Sequence, residues 1–442
     1  MQLTIEKLVY GGDGLARLGA DERGPGKAVF VPFVLAGERV EARILEEKRG
    51  FARGRADKIL EPSAERIPPA CRYFEACGGC HYQHAGYDQQ LAIKSGILRE
   101  TLRRTAKLDW PGEIQLHPSP PWGYRNRTRM HLHAEPFALG YHRFGSKTLL
   151  EVEECPISSP LINRAITTMW RLGREDKAAA EIGEVEFFSN AEDTALLIEL
   201  TLGAASGPLQ PGSPVARFAE SLRATMPEVA GIAMFSRAAG EALISLDLPR
   251  EMKPIFGDHM LTYNTRGAHY RVQAGSFFQT NRFQVDRLAE LVTAGRAGGL
   301  ALDLYAGVGL FSLMLSQSFR EVTAVEAALF AFHDLRHNSP ANVAASHAPV
   351  EKFLASLPRR PKVQYDFVVA DPPRAGLGEE TARLVAELGA PRLSYVSCDP
   401  ATLSRDLRVL LESGYRVDEV HLVDLFPQTF HIESVLHLAR QS

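Results

Sequence analysis

From about residue 261 onward, short apolar runs alternate with helical patterns, and this alternation constrains the fold more than any other feature of the chain. The strand candidates are residues 300–305, 321–325, 366–370 and 393–396. Strands that are separated by helices form a parallel sheet with helices on both faces. The sequence therefore predicts an α/β, doubly wound, Rossmann-like domain over residues 261–442.

Two further regions precede this domain. Residues 1–60 contain short β-like segments separated by glycines, which is typical of a small OB-like β-barrel or of a β module that only packs on its neighbour. Residues 61–260 begin with a Pro- and Cys-rich connector and continue as a β-rich central domain. Within this region we expect a helix at about residues 87–108, which can pack on the C-terminal domain.

The composition is that of a globular protein and excludes a disordered or fibrous chain, with 45% hydrophobic and 23% charged residues. The formal net charge of −3 conceals a net +6 in residues 1–150 (23 Lys/Arg against 17 Asp/Glu) and a net −7 in residues 151–200 (4 against 11). A basic face for an anionic partner therefore remains open. Neither a signal peptide nor a long apolar run is recognisable, so we expect a cytoplasmic protein.

A strand, a Gly-x-Gly turn and a helix follow one another at residues 302–311. Ser312 stands where the dinucleotide fingerprint has its third glycine, so NAD is disfavoured. Glu326 ends the next apolar run, where a carboxylate can bind both hydroxyls of a ribose. A tight strand–helix turn explains Gly307 and Gly309 about equally well, but together with Asp303 and Glu326 the turn favours S-adenosylmethionine.

Two motifs follow predicted strands and therefore lie at the carboxyl edge of the sheet. The motif at 371–374 reads Asp-Pro-Pro-Arg, and its Arg374 replaces the aromatic residue of amino-group methyltransferases. The motif at 397–400 places Cys398 just before a helix, whose N-terminus favours a thiolate; a nucleophile and a buried, inert cysteine are equally compatible with this position. Glu433, near the C-terminus, offers a general base and favours the nucleophile.

These motifs together resemble the family of S-adenosylmethionine-dependent RNA (uracil-5-)-methyltransferases over essentially the whole chain. The resemblance implies that Cys398 attacks uracil C6 and that Glu433 removes the C5 proton. Leu310 and Asp399 stand where the family usually has Asn, and Glu351 is only a loose candidate for the acidic residue that contacts adenine. The implied cofactor contacts are Gln279, Tyr305, Gly307, Glu326 and Asp371, the last at the reaction centre.

Four of the five cysteines form a candidate metal set. Cys71, Cys77 and Cys80 lie within ten residues, and Cys155 is the remaining candidate for a fourth ligand. Their spacing leaves structural zinc and an iron–sulfur cluster equally open. Residues 71–94 resemble the iron–sulfur-containing branch of the same family, which implies a structural 4Fe-4S cluster.

Residues 1–60 resemble the RNA-binding TRAM domain of this family. Three arginines alternate in residues 122–129, so a strand would place Arg125, Arg127 and Arg129 on one face. With Trp122 and Tyr124 beside them, we expect this face to contact RNA phosphates and to stack on bases. The resemblance implies structured RNA as the partner, 23S ribosomal RNA first, with no membrane and no obligate protein partner. The alternatives are a transfer-RNA uridine, or a non-catalytic iron–sulfur protein that binds RNA.

Overall fold

The computed structural model describes residues 1–19, 26–203, 212–236, 252–265, 267–358 and 364–441. These residues form four sheets, of which the first is N-terminal. This sheet has six strands in the order β1-β5-β6-β4-β3-β2 and curls around its own apolar core, which includes Val29, Val31 and Val40. The residues between them along each strand face outward. The strands are β1 (Gln2–Thr4), β2 (Lys7–Leu8), β3 (Asp13–Arg17), β4 (Ala28–Pro32), β5 (Arg39–Glu47) and β6 (Phe51–Glu61).

Helix α1 (Tyr87–Thr101) continues as a π-helical turn, Leu102–Ala106, and ends where Lys107 adopts a left-handed φ of 58°. The predicted helix is therefore present, with an α-helical part that ends earlier than residue 108. Its apolar face shares a core with the C-terminal domain, and strand β7 (Gln115–His117) adds to the edge of that domain's sheet. This segment consequently packs as part of the C-terminal domain, although it lies within 61–260 in the sequence.

The central domain contains a seven-stranded sheet in the order β10-β9-β8-β11-β12-β13-β14. Two helices share a core with it, and each begins with a Ser-Pro pair in which the serine hydroxyl accepts a hydrogen bond from the first helical turn. The elements are β8 (Arg127–Ala134), β9 (Phe137–His142), β10 (Leu149–Glu151), α2 (Pro160–Arg174), β11 (Ile182–Ser189), β12 (Leu196–Leu202), α3 (Pro214–Thr225), β13 (Val229–Phe235) and β14 (Met252–Gly257).

A hairpin connects the central and C-terminal domains. Its strands, β15 (Met260–Thr265) and β16 (Ala268–Gln273), pair with each other in antiparallel fashion. The inward side chains Leu261, Tyr263 and Tyr270 are buried in one core with residues of both domains. The hairpin therefore fixes the loop that follows it, which carries Gln279, against the C-terminal sheet.

The C-terminal domain is built on an eight-stranded sheet in the order β19-β18-β17-β20-β21-β23-β22-β7. The first five are mutually parallel, whereas β23 runs antiparallel to both neighbours. The elements are α4 (Val285–Thr293), β17 (Gly298–Leu304), α5 (Leu310–Leu315), β18 (Phe319–Glu326), α6 (Leu329–Asn338), β19 (Val343–His347), α7 (Val350–Ser356), β20 (Phe367–Ala370), α8 (Glu379–Glu387), β21 (Arg392–Ser397), α9 (Pro400–Glu412), β22 (Tyr415–Val423) and β23 (Glu433–Arg440).

This sheet confirms the predicted doubly wound fold. The chain order reverses at β17, with β18 and β19 on one side and β20 and β21 on the other, which creates a switch point where such sheets bind ligands. The loops after β17, β18, β20 and β21 leave the same edge of the sheet. In the part of the chain that the structure describes, no helix is long and apolar enough to span a membrane.

Candidate active site

The turn after β17 has a backbone that brings N–H groups to the sheet edge. Tyr305, Gly307 and Gly309 have left-handed φ angles of 63°, 56° and 99°. The two carboxylate oxygens of Glu326 accept hydrogen bonds from the N–H groups of Gly307 (2.8 Å) and Ala328 (2.6 Å). Burial raises the pKa of Glu326. The predicted cofactor turn is therefore held in shape by the carboxylate that follows the next strand.

Below this turn, the hydroxyl of Ser312 donates a hydrogen bond to the buried carboxylate of Asp303, whose pKa burial raises to about 7. Leu310 is 6% exposed and belongs to the apolar core, so it offers the cofactor no hydrogen bond. Burial and the neighbouring Glu351 raise the pKa of Tyr305. Glu351 thus lies near Tyr305, on the same side of the sheet edge.

Gln279 is half-buried in the loop between β16 and α4. That loop is fixed at both ends: Ser276 Oγ donates to Asp334 (2.7 Å), and Asn281 Nδ2 donates to the carbonyl of Leu425 (3.1 Å). The segment that carries Gln279 is therefore held between α6 and the C-terminal loop.

Cys398 lies half-buried between the end of β21 and the start of α9. Asp399 is the N-cap of α9, and its carboxylate accepts hydrogen bonds from the N–H groups of Ala401 (2.9 Å) and Thr402 (3.0 Å). Asp performs this capping role as well as Asn does, which accounts for its presence here. The hydroxyl of Tyr10, from the N-terminal domain, donates to the Cys398 carbonyl (3.2 Å).

The thiol of Cys398 faces two acidic side chains. Burial first, and then the charges of Glu433 and Asp371, raise the pKa of Cys398 to about 12, while Arg374 acts in the opposite direction. A helix N-terminus was expected to lower this pKa, but the pKa is raised. Burial and the adjacent carboxylates outweigh the helix terminus.

Glu433 and Asp371 form a close carboxylate pair. Glu433 is 5% exposed and is the first residue of β23. Burial raises the pKa of Asp371 to about 7, and burial together with Asp371 raises the pKa of Glu433 well above its usual range. Two buried carboxylates and a thiol thus share one site, with Arg374 as the nearby cation. Such a site retains protons at neutral pH and favours a cationic ligand.

The loop at 424–431, which precedes Glu433, is held by the polar side of α1. Lys94 is fully buried, and its Nζ donates to Asp424 Oδ1 (2.7 Å) and to the carbonyl of Phe426 (2.9 Å). Gln90 and Gln428 exchange two hydrogen bonds of 2.9 Å. Sequence reasoning missed these positioning residues, although Gln90 and Lys94, four residues apart, share a helix face.

The four metal-candidate cysteines line one cavity of about 370 Å³. Burial, together with the other cysteines, raises the pKa of Cys77 to about 11 and that of Cys80 to about 12. Cys155 lies far from the others in the sequence, and the fold brings it to the same cavity. Among these four cysteines, no three sulfurs lie within 4.8 Å of one another.

The arginine ladder does not form the predicted RNA-facing surface. Arg127 is 9% exposed and forms ion pairs with Glu186 and Glu199, and Arg129 also pairs with Glu186. Arg125 precedes β8 and lines the cysteine cavity. The prediction of one exposed arginine face is therefore wrong, because the carboxylates that bury this part of β8 lie on β11 and β12.

The flanking aromatic residues also differ from the prediction. Tyr124 is fully buried, and its hydroxyl donates to the carbonyl of Pro427 (3.0 Å), so it cannot stack on a base. Trp122 is 36% exposed and remains accessible at the surface. Only one of the two predicted stacking residues, Trp122, is therefore exposed.

Comparison with known proteins identifies two family profiles in the chain. Residues 86–441 match the tRNA (uracil-5-)-methyltransferase family, and residues 1–56 match the TRAM domain. An uncharacterised RNA methyltransferase from Aquifex aeolicus is 32% identical over 98% of this chain and 97% of its own length. A 23S rRNA (uracil(1939)-C(5))-methyltransferase from Tolumonas auensis is 29% identical over 100% and 96%.

Among solved structures, the tRNA (uracil-54, C5)-methyltransferase of Pyrococcus abyssi, in complex with S-adenosyl-L-homocysteine, has the same fold. It superimposes with a TM-score of 0.75 at 24% identity and covers 99% of this chain and 100% of its own. The first family profile spans far more than half of the sequence and includes the cofactor turn, Cys398 and Glu433. The chain belongs to the tRNA (uracil-5-)-methyltransferase family and is an S-adenosylmethionine-dependent RNA uracil-5-methyltransferase with an N-terminal TRAM domain.

Proposed function

We propose that this enzyme methylates C5 of a uridine in 23S ribosomal RNA, with Cys398 as nucleophile and Glu433 as base. The observation that carries the proposal is the register of β21 and β23: Ser397 lies opposite Ser434, which brings Cys398 and Glu433 together at one edge of the sheet. A Tolumonas auensis enzyme named for 23S rRNA is similar along the whole chain, which supports the choice of RNA. Transfer RNA is the second candidate, because the Pyrococcus abyssi enzyme of the same fold is named for it.

Each residue then has a defined chemical role. The Cys398 thiol gives its proton to ionised Asp371 as its sulfur bonds to uracil C6, and the C5–C6 π electrons move toward O4, which makes C5 nucleophilic. When bound, S-adenosylmethionine supplies an electrophilic methyl group on a cationic sulfonium. Glu433, ionised once the cationic sulfonium is bound, accepts the C5 proton, the C5–C6 double bond forms again, and the C6–sulfur bond breaks so that Cys398 takes its proton back. A uridine must leave its stack to reach this edge of the sheet.

The cofactor contacts follow from the geometry of the sheet edge. Glu326, fixed by two backbone N–H groups, is proposed to bind the ribose hydroxyls, with Gly307 allowing close approach of the backbone. Tyr305 and Gln279 are proposed to flank the cofactor. Asp371, which carries no hydrogen bond on its carboxylate in the described ranges, is proposed to face the sulfonium and to ionise when that cation binds.

We further propose that Cys71, Cys77, Cys80 and Cys155 hold a structural 4Fe-4S cluster. A tetrahedral zinc site with Zn–S bonds of about 2.3 Å brings its sulfurs to within about 3.8 Å of one another. The four thiols surround a wider cavity than that. Anaerobic purification with a visible spectrum and metal analysis tests this assignment: iron with sulfide is expected, and stoichiometric zinc would refute it.

Covalent trapping tests the mechanism. A 5-fluorouridine RNA with S-adenosylmethionine is expected to form a stable adduct with the wild type and none with Cys398→Ala, because fluorine at C5 cannot leave as a proton. Glu433→Gln is expected to accumulate a methylated adduct with ordinary uridine RNA, since only the last step is blocked. An equal yield of adduct from Cys398→Ala would exclude Cys398 as the nucleophile.

The RNA substrate is tested by mass spectrometry of both RNA classes from a strain that lacks the protein. Loss of 5-methyluridine from 23S ribosomal RNA is expected, with transfer RNA unchanged. Loss from transfer RNA alone would establish the second candidate. If both RNAs keep their full methylation while the purified protein binds RNA without turnover, the non-catalytic alternative is correct.

A further inference from the structure

Arg125 differs from the other two arginines of the ladder because no carboxylate is paired with it. Its side chain lines the same cavity as the four cysteines, and its Nε is shielded from solvent without a hydrogen-bond partner. In the described ranges it makes no ion pair, whereas Arg127 and Arg129 are paired with glutamates. A guanidinium held in this way lacks a counter-charge.

The backbone fixes Arg125 in this position. Its N–H donates to the carbonyl of Ile157 (2.8 Å), and its carbonyl accepts from the N–H of Ser159 (2.9 Å), so it is attached to the loop that carries Cys155. The next residue, Asn126, donates its N–H to the carbonyl of Thr280 (3.1 Å). With the backbone fixed on both sides, the side chain of Arg125 lines the cavity that contains the four cysteines.

A second arginine that lines the cavity provides a matched comparison for Arg125. Arg143 also lines it, but from an exposed position at the rim. Its charge is screened by solvent, whereas the charge of the half-buried Arg125 is screened less. The two arginines therefore separate the effect of a charge inside the cavity from that of a charge at its mouth.

We propose that Arg125, which lines the cavity with its Nε shielded from solvent, is the counter-charge of the anionic metal cluster held by the four cysteines. This inference rests on the proposed 4Fe-4S cluster. Four thiolates give such a cluster a net negative charge, and reduction by one electron increases it. A fixed cation therefore stabilises the cluster, and it stabilises the reduced form most. Arg125 thus acts through its charge: it raises the reduction potential of the cluster and slows the loss of iron from it.

The test compares wild type, Arg125→Met, Arg125→Lys and Arg143→Gln as anaerobically purified full-length protein. Redox titration with dithionite, followed by electron paramagnetic resonance, measures the midpoint potential, and a chelator assay measures the rate of iron loss. Arg125→Met is expected to show a more negative midpoint potential and a several-fold faster loss of iron. Arg125→Lys, which keeps the charge, and Arg143→Gln are both expected to match wild type.

The outcomes separate this inference from the proposed cluster. Wild-type protein without iron and sulfide refutes the cluster, and this inference with it, before any variant is made. Wild type with a cluster, beside an Arg125→Met variant of equal potential and equal iron loss, refutes only the inference about Arg125. If Arg125→Met fails to fold by circular dichroism, Arg125→Lys decides. An Arg125→Lys variant with the wild-type midpoint potential supports the role of the positive charge at this position. An Arg125→Lys variant with an altered potential and an altered rate of iron loss overturns that role.

Discussion

At the scale of single residues, Asp371 is a buried carboxylate whose folded-state pKa, about 7, lies above its ordinary value because of burial. The folded protein therefore binds this proton more tightly than the unfolded chain does. The resulting stability is fully present at acidic pH and is lost as the pH rises through 7. The cost of ionising Asp371 is thus greatest at the pH at which the enzyme would work.

We expect Asp371→Asn to become more stable relative to wild type as the pH rises. Asn has nearly the same shape and no charge to desolvate, so the difference in the free energy of unfolding should increase by roughly 3 kcal/mol between pH 5 and pH 8. Urea unfolding at several pH values measures it. Asp109→Asn, at an exposed position, is the control and should show a constant difference. A constant difference for Asp371→Asn would contradict the raised pKa.

The residues of the site differ in how far sequence could predict them. Cys398 and Glu433 lie in short motifs at strand boundaries, where position alone left Cys398 equally compatible with an inert cysteine, so their roles were implied by the resemblance of the motifs to the family. The burial of Arg127 was not predictable, because an alternating arginine pattern is the same for an exposed face and for a buried ion-pair network. Its partners Glu186 and Glu199 belong to the acidic stretch of residues 151–200, which therefore neutralises the ladder as well as balancing the net charge.

At the scale of elements, helix α1 joins two parts of the C-terminal domain. Its apolar side packs into the core, and its polar side buries Lys94 against Asp424, which also accepts a hydrogen bond from Tyr87 (2.9 Å). Burial lowers the pKa of Lys94, and Asp424 opposes that change. An ion pair of this kind is costly to break from one side, because the other charge stays buried.

We expect Lys94→Met to lower the free energy of unfolding by about 3–5 kcal/mol, because Asp424 is left without its cation. The double variant Lys94→Met with Asp424→Asn should recover much of this loss, since it removes the isolated charge. Urea denaturation of both variants gives the comparison. Arg408→Ala, which breaks the exposed Arg408–Glu412 pair, is the control and should cost no more than about 0.5 kcal/mol. If the double variant were as unstable as the single one, buried charge would not be the cause.

Elements were predictable where local periodicity defines them. The parallel strands β17, β18, β20 and β21 follow short apolar runs, and the structure places them close to the predicted positions, whereas β19 was not predicted. The pairing of β7 with β22 was not predictable, because it joins segments far apart in the sequence and depends on where α1 packs. The burial of Lys94 was also not predictable, since a lysine on an amphipathic helix usually faces solvent.

At the scale of the whole molecule, the Pro- and Cys-rich connector, which includes Cys71, Cys77 and Cys80, contacts all three domains. The N–H groups of His81 and Tyr82, next to Cys80, both donate to the carbonyl of Gln428 (2.9 Å each). The His81 ring packs on Phe430, which in turn contacts Tyr10 of the N-terminal domain. Gly78 donates its N–H to His142 of the central domain (3.1 Å). The proposed cluster would therefore anchor the loop that precedes Glu433.

Removal of the metal is expected to slow catalysis without weakening cofactor binding. Gln428 has a left-handed φ of 70°, a strained conformation for a residue other than glycine, which the connector and Gln90 hold in place. Once Cys80 is released, this loop can relax and shift Glu433 relative to Cys398. Misplacement of catalytic groups by about 1 Å costs on the order of 100-fold in rate. The cofactor turn at Tyr305 and Glu326 is bound elsewhere, by its own sheet edge.

We therefore predict that the chelator-treated enzyme loses on the order of 10- to 100-fold in kcat, whereas its Kd for S-adenosylmethionine changes by less than about twofold. Single-turnover methyl transfer to RNA and isothermal titration calorimetry measure the two quantities, and reconstitution with iron and sulfide should restore kcat. If the metal-free enzyme kept its full kcat, the hydrogen bonds from His81 and Tyr82 would not depend on the cluster. If kcat fell and the Kd for S-adenosylmethionine rose together, the loss would reflect general unfolding, and the specific link between the connector and the loop before Glu433 would be refuted.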